Sequence, residues 1–143
     1  AGYAVNELGL QPSTQWSTAD ANDTMTAWLD TAWASQIELV ICNNDGMAFG
    51  AIQAMATKGV DIPVYGVDAL EEAIAKIGSG DMNGTVLNDG VNQARATIDL
   101  AINAANGEDV LAGTDWVLDS PTGTKAVRVP YVAVTEDNYE DFQ

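Results

Sequence analysis

The sequence has no histidine and a single cysteine, Cys42. It therefore carries no Ser-His-Asp triad, no thiolate–imidazole pair and no Cys/His zinc site. Basic residues are scarce too: 5 Lys and Arg face 21 Asp and Glu, for a formal net charge of −16. A field of that sign repels phosphate backbones and argues against nucleic acid as a partner. No apolar run approaches the roughly 20 residues that a membrane-spanning helix needs. Cys42 closes one strand-length run and reads as a small core residue; alone, it does not identify a redox compartment.

The chain does have an apolar content suited to a packed core. Its 143 residues are 47% hydrophobic, enough for a globular domain rather than a disordered one. The most informative stretch runs from Ile37 to Met55. Ile37 to Cys42 is short and rich in β-branched residues, Asn43-Asn44-Asp45-Gly46 is a tight polar turn, and Met47, Ile52 and Met55 recur at helical spacing. The expectation is a buried strand, a turn with Asp45 as helix cap, and a helix. Open α/β sheets bind ligands beyond the carboxyl ends of their strands, where free backbone N–H groups and short polar side chains gather.

The same pattern recurs twice. Ile62 to Val67 ends in Asp68 before a helical stretch from Ala69 to Ile77, and Thr85-Val86-Leu87 ends in Asn88-Asp89-Gly90 before an amphipathic stretch from Val91 to Ala105. Three strand–turn–helix units predict an α/β fold with a mostly parallel sheet flanked by helices. The strand ends deliver Asn44, Asp68 and Asn88 to one edge. Amides both donate and accept hydrogen bonds while a carboxylate accepts strongly, so the set suits a neutral polyhydroxyl ligand.

Elsewhere the expectations are plainer. Tyr3 to Leu8 reads as the end of a helix, stopped near Gly9, and the chain begins at Ala1 like a fragment or a mature product. Ser17 or Thr18 caps a helix to about Ser35, with Trp28 in the core. Trp16 stands before that helix and off its apolar face; such a ring either packs partly buried or stacks on the C–H face of a sugar. Residues 107–124 are polar around a short strand at 114–118, Lys125 to Val134 is extended with Pro130 at an edge or a crossing, and Asn138 to Phe142 forms a final helical turn.

Four segments taken in order carry a resemblance: Val40-Ile41-Cys42-Asn43-Asn44-Asp45-Gly46-Met47-Ala48, Val64-Tyr65-Gly66-Val67-Asp68-Ala69-Leu70, Gly84-Thr85-Val86-Leu87-Asn88-Asp89 and Val127-Arg128-Val129-Pro130-Tyr131-Val132. Together they closely resemble bacterial periplasmic glucose/galactose-binding proteins, over Trp16 to Phe142 and corresponding to the C-terminal half of such a protein. The resemblance implies part of a type I periplasmic-binding-protein lobe, in a protein of two lobes joined by three crossings with hexose between them. It further implies residues 1–88 in the second lobe, 89–128 in the first and 129–143 returning to the second. Asn44, Asp68 and Asn88 would bond sugar hydroxyls, and Trp16 would stack on the pyranose. Glu38 matches one carboxylate of the family's calcium site, whose other ligands, like the remaining sugar ligands, would precede Ala1. The implied partners are a hexose, an ABC permease, a chemoreceptor and the missing first lobe. The implied location is the periplasm or the outer face of a bacterial membrane.

Two other functions compete with non-enzymatic sugar binding. An effector-binding domain of a sugar-responsive transcription regulator would share the architecture, but the chain has no helix-turn-helix or basic segment. A phosphoacceptor enzyme with Asp68 as nucleophile would need a supporting lysine and an acidic metal cluster, and Lys58, Lys76 and Lys125 are not at comparable strand ends.

Overall fold

Short β-branched runs alternating with capped helices build most of the chain. The computed structural model describes residues 4–13, 15–119 and 126–143. In chain order its elements are α1 (Thr18–Leu29), β1 (Val40–Ile41), α2 (Asp45–Lys58), β2 (Val64–Tyr65), α3 (Glu71–Ser79), β3 (Gly84–Leu87), α4 (Gly90–Ala105), β4 (Leu118–Asp119), β5 (Ala126–Val127) and β6 (Val132–Thr135), with 3-10 turns at Ala32–Ser35 and Tyr139–Phe142. They form two compact units, one of Ala1–Leu87 with Ala133–Gln143 and one of Asn88–Val132.

The first unit is organised on a four-stranded sheet in the order β1-β2-β3-β6. β1 and β2 are parallel with Val40 opposite Val64, and β2 and β3 are parallel with Tyr65 opposite Gly84. This is the mostly parallel, helix-flanked sheet expected from the repeated strand–turn–helix pattern. One core cluster gathers Val40, Val64 and Val134 from the sheet with Met25 and Leu29 of α1, Ala48, Ala51 and Met55 of α2, and Ala73, Ile74 and Ile77 of α3. Cys42 is buried in the same cluster.

Alternation along the strands separates a covered face from a bare one. Val40 and Val64 are buried, whereas their neighbours Ile41 and Tyr65, paired with each other across the strands, are 72% and 38% exposed. Leu39 is also exposed. Parallel sheets are ordinarily covered on both faces, so an apolar face left open to water departs from the rule.

Helix α1 crosses α2 closely. A Cβ on Gly50 would lie 2.1 Å from the Thr18 carbonyl oxygen, so only glycine allows this approach, and the Asn22 amide donates to the Gly50 carbonyl at 3.2 Å. The start of α1 is thereby fixed against α2.

In the second unit, Asp89 caps α4 by accepting from the Asn92 N–H at 2.9 Å. The Trp116 indole donates to Asp99 of that helix at 2.9 Å. β4 and β5 form an antiparallel ribbon with Leu118 opposite Val127. Val91, Ile98 and Ile102, which share one face of α4 by their spacing, are all exposed.

Several local expectations are corrected. Residues 4–10 are not helical, and Tyr3 lies outside the described residues. The helix expected to reach Ser35 ends at Leu29, because Thr31 turns extended (φ −108°, ψ 179°), donates its hydroxyl to the Trp28 carbonyl at 2.7 Å and accepts from the Trp33 N–H at 3.1 Å. Local side-chain bonds of this kind compete with the helical ladder. Trp28 does pack against the core cluster, though partly buried, and meets Trp33 edge-on with ring centroids 6.3 Å apart. The helix expected from Ala69 begins at Glu71, since Ala69 adopts φ 57°. The strand expected at 114–118 is Leu118–Asp119, and the long extended run splits into β5 and β6 with Pro130 in neither; Lys125 and residues 120–124 lie outside the described residues.

Candidate ligand-binding site

The turn after β1 is built by two adjacent polar residues with separate tasks. Asn44, not Asp45, is the N-cap of α2: its extended backbone (φ −151°, ψ 166°) lets its Oδ1 accept from the Met47 N–H at 2.7 Å. Its Nδ2 donates to the backbone carbonyl of Trp16 at 3.2 Å. Trp16 immediately precedes Ser17, which caps α1 by accepting from the Asp20 N–H at 3.0 Å. The close crossing of α1 on α2 thus brings Trp16 to Asn44. Trp16 is 60% exposed on a backbone with φ 55°.

Asp45 is fully buried, at 0% exposure. Its Oδ1 accepts from the Thr85 hydroxyl at 2.6 Å, its Oδ2 accepts from the Leu70 N–H at 2.8 Å, and its own N–H donates to the Val67 carbonyl at 2.8 Å. Burial pushes its carboxyl above the usual range; the hydrogen bonds from Thr85 and from the backbone of Leu70 and Ala69 oppose that rise, and the neighbouring charge of Asp68 adds to it. Gly66 makes the room, since a Cβ there would lie 2.3 Å from Asp45 Oδ1.

Asp68 ends the turn after β2. Its N–H donates to the Val86 carbonyl at 2.8 Å, and it bridges Leu87 in parallel register. Its φ of 115° and the 57° of Ala69 make these two residues, with Trp16, the non-glycine positions with positive φ among the described residues. Left-handed backbone is sterically costly for residues with a Cβ and persists where surrounding contacts over-determine it.

The structure therefore joins Trp16 to Asn44 directly, and joins Asp68 to the same strand–helix turn through Leu70 and Asp45. Asn88 follows Leu87 in sequence but belongs to the second unit, where it is exposed and its Oδ1 accepts from the Gln93 amide at 2.6 Å. Glu38 is exposed, and no group of three or more metal-binding side chains occurs among the described residues. Calcium takes six to eight oxygens, so Glu38 alone does not fit a calcium site. Lys58 pairs with Asp30 and Lys76 with Glu72. A separate groove of about 650 Å³ lies within the second unit, walled by Ala96, Leu100, Val127, Val129 and Pro130, and holds none of the candidate residues.

The Asp45–Thr85 pair is what sequence reasoning missed. Two signals pointed to it: Gly66 inside an otherwise apolar strand run, which marks a close approach, and a hydroxyl at Thr85 inside another.

Asn44 and Asp68 stand in the turns after β1 and β2, and an exposed Trp16 is held at the first of these turns, the region where open α/β proteins ordinarily bind ligands. Residues 2–109 match the family described as periplasmic binding protein domain, and the chain belongs to that family. It is 46% identical over 98% of its length to the D-galactose/methyl-galactoside binding periplasmic protein of Haemophilus influenzae, covering 44% of that protein. It is 30% identical over 96% of its length to a putative rhizopine-binding protein of Rhizobium meliloti, covering 40% of it. Among solved structures, an ABC transporter solute binding protein of Bacillus halodurans with bound myo-inositol superposes with TM-score 0.75 at 30% identity, over 95% of this chain and 42% of that one. The chain thus spans less than half the length of the curated relatives it matches.

Proposed function

We propose that this chain supplies one side of a hexose-binding clamp in a solute-binding protein that serves an ABC importer. The observation that carries the reading is the Asn44 bond to the Trp16 carbonyl, which holds an exposed Trp16 at the polar turn after β1. An indole covers the C–H face of a pyranose while amide and carboxylate groups take its hydroxyls. In this reading Trp16 stacks, Asn44 donates through its amide, and Asp68 accepts from hydroxyls. Asn88 joins the set on its position directly after β3. Similarity to a galactose-binding relative favours glucose or galactose over other polyols.

The first unit is then most of the second lobe, and residues 89–128 belong to the first lobe. The bare sheet face at Ile41 and Tyr65, the exposed stripe Val91-Ile98-Ile102 and the groove of the second unit are surfaces that the remainder of the two lobes would cover. The proposed setting is the periplasm or the outer face of a bacterial membrane, with the permease and a chemoreceptor as docking partners. Glu38 would reach calcium only with carboxylates supplied from outside this chain. The role is binding rather than catalysis. The regulator alternative gains no support from the relatives named above.

Calorimetry on a two-lobed protein carrying this sequence tests the reading. Glucose or galactose should bind with micromolar or tighter affinity, and Asp68→Ala should weaken it; hexose binding indifferent to Asp68 and Trp16 would refute the assignment.

A further inference from the structure

Asp45 is a fully buried carboxylate outside the proposed ligand set, and its bonds run to the segment that bears Asp68. Three successive amides there are each anchored to a different group. The Asp68 N–H donates to the Val86 carbonyl at 2.8 Å, the Ala69 N–H to the Thr85 hydroxyl at 3.3 Å, and the Leu70 N–H to Asp45 Oδ2 at 2.8 Å. Thr85 in turn donates to Asp45 Oδ1 at 2.6 Å, so the two side chains form one closed network. Asp68 and Ala69 are the consecutive left-handed residues, with φ of 115° and 57°. A non-glycine pair in that region relaxes unless it is held.

We propose that Asp45 and Thr85 are positioning residues for ligand recognition, holding residues 68–70 in the backbone conformation that presents the Asp68 carboxylate to a sugar hydroxyl. The inference rests on the reading of Asp68 as a sugar ligand. Burying a carboxylate is unfavourable unless its oxygens are satisfied, and an apolar residue would fill a core more cheaply. A carboxylate at Asp45 does what an apolar side chain does not: it accepts at two oxygens in fixed directions, one toward β3 and one toward the loop. Gly66 is part of the same device, because any Cβ there would displace Asp45 Oδ1.

The test uses a two-lobed protein carrying this sequence. Thr85→Val keeps the shape of the side chain and removes the hydroxyl, whereas Thr85→Ser keeps the hydroxyl. Asp45→Asn keeps an acceptor for Leu70 and gains a donor toward Thr85, whereas Asp45→Ala keeps neither. Thr85→Val and Asp45→Ala should each weaken galactose and glucose binding about ten-fold or more, with Ser and Asn restoring most of it. In an Asp68→Ala background Thr85→Val should cost no further affinity, because the group it positions is gone. Hydrogen exchange at the Ala69 and Leu70 amides should quicken in Thr85→Val and Asp45→Ala without any sugar present. An undiminished Thr85→Val loss in the Asp68→Ala background, or unchanged exchange at both amides, overturns the proposal. If the wild type binds no hexose, the site reading fails by itself, and the exchange measurement still decides whether the clamp exists.

Discussion

The Asn44 side-chain amide donates to the backbone carbonyl of Trp16 at 3.2 Å while its oxygen caps α2. One residue thus ties the start of α1 to the start of α2. Asn44→Asp separates the two tasks, since a carboxylate caps a helix equally well but cannot donate to a carbonyl. The variant should keep its melting temperature to within a few degrees and lose the restraint on Trp16, read as lower fluorescence anisotropy and a weaker sugar-dependent change. Asn44→Ala should lose both, with about 1 kcal/mol of stability gone along with the cap.

Asp68 and Asn43 stand after different strands, and only Asp68 has its backbone held left-handed by bonds to β3. Asp68→Ala should weaken hexose binding by about 1.5–3 kcal/mol, the worth of a hydrogen bond to a charged group. Asn43→Ala, at an exposed turn position, should change it little. Equal losses by calorimetry would mean that a different residue faces the ligand.

Much of this arrangement was legible in the sequence because the strand–turn–helix pattern is periodic and local. The parallel pairing of β1, β2 and β3 followed from three repeats of one rule, whereas the strand order did not. What was not legible depended on contacts distant in sequence. Asp45 looked like an ordinary cap, and only its bonds to Thr85 and Leu70, forty and twenty-five residues away, make it a buried anchor. The break of α1 at Thr31 was hidden for a different reason: the apolar spacing continues past it, but one hydroxyl takes the Trp28 carbonyl. The bare face at Ile41 could not be read at all, since an apolar strand residue looks the same whether or not a helix covers it.

Asp45 also sets a pH dependence. Its folded-state carboxyl is raised above the ordinary value of about 3.9 by burial. A group raised on folding contributes stability that is fully present below the unfolded value and lost as pH rises through the folded one. Wild type should therefore lose stability relative to Asp45→Asn as pH climbs from the unfolded carboxyl value through the raised one. Urea unfolding of both proteins across that window checks it, and a stability gap constant with pH would contradict it.

Cys42 offers a probe of the core. Burial pushes its thiol up to about 11, so thiolate is nearly absent at neutral pH and alkylation requires opening of the sheet. Iodoacetamide labelling should be slow in the native chain and rapid in urea.

Central to the account is that this chain holds one side of a clamp. With only Trp16, Asn44, Asp68 and Asn88 supplied, the other ring face and several hydroxyls would stay hydrated, and each protein hydrogen bond would merely replace one to water. The open apolar surfaces at Ile41, Tyr65, Ile98 and Ile102 would favour association. The decisive measurement is titration calorimetry with light scattering on the 143-residue chain, alone and then mixed with a separately produced first lobe. Alone, it should bind hexose no better than about millimolar and self-associate, and the mixture should bind tightly as a one-to-one complex. A strictly monomeric chain that binds hexose at micromolar concentration without the other lobe would contradict the account.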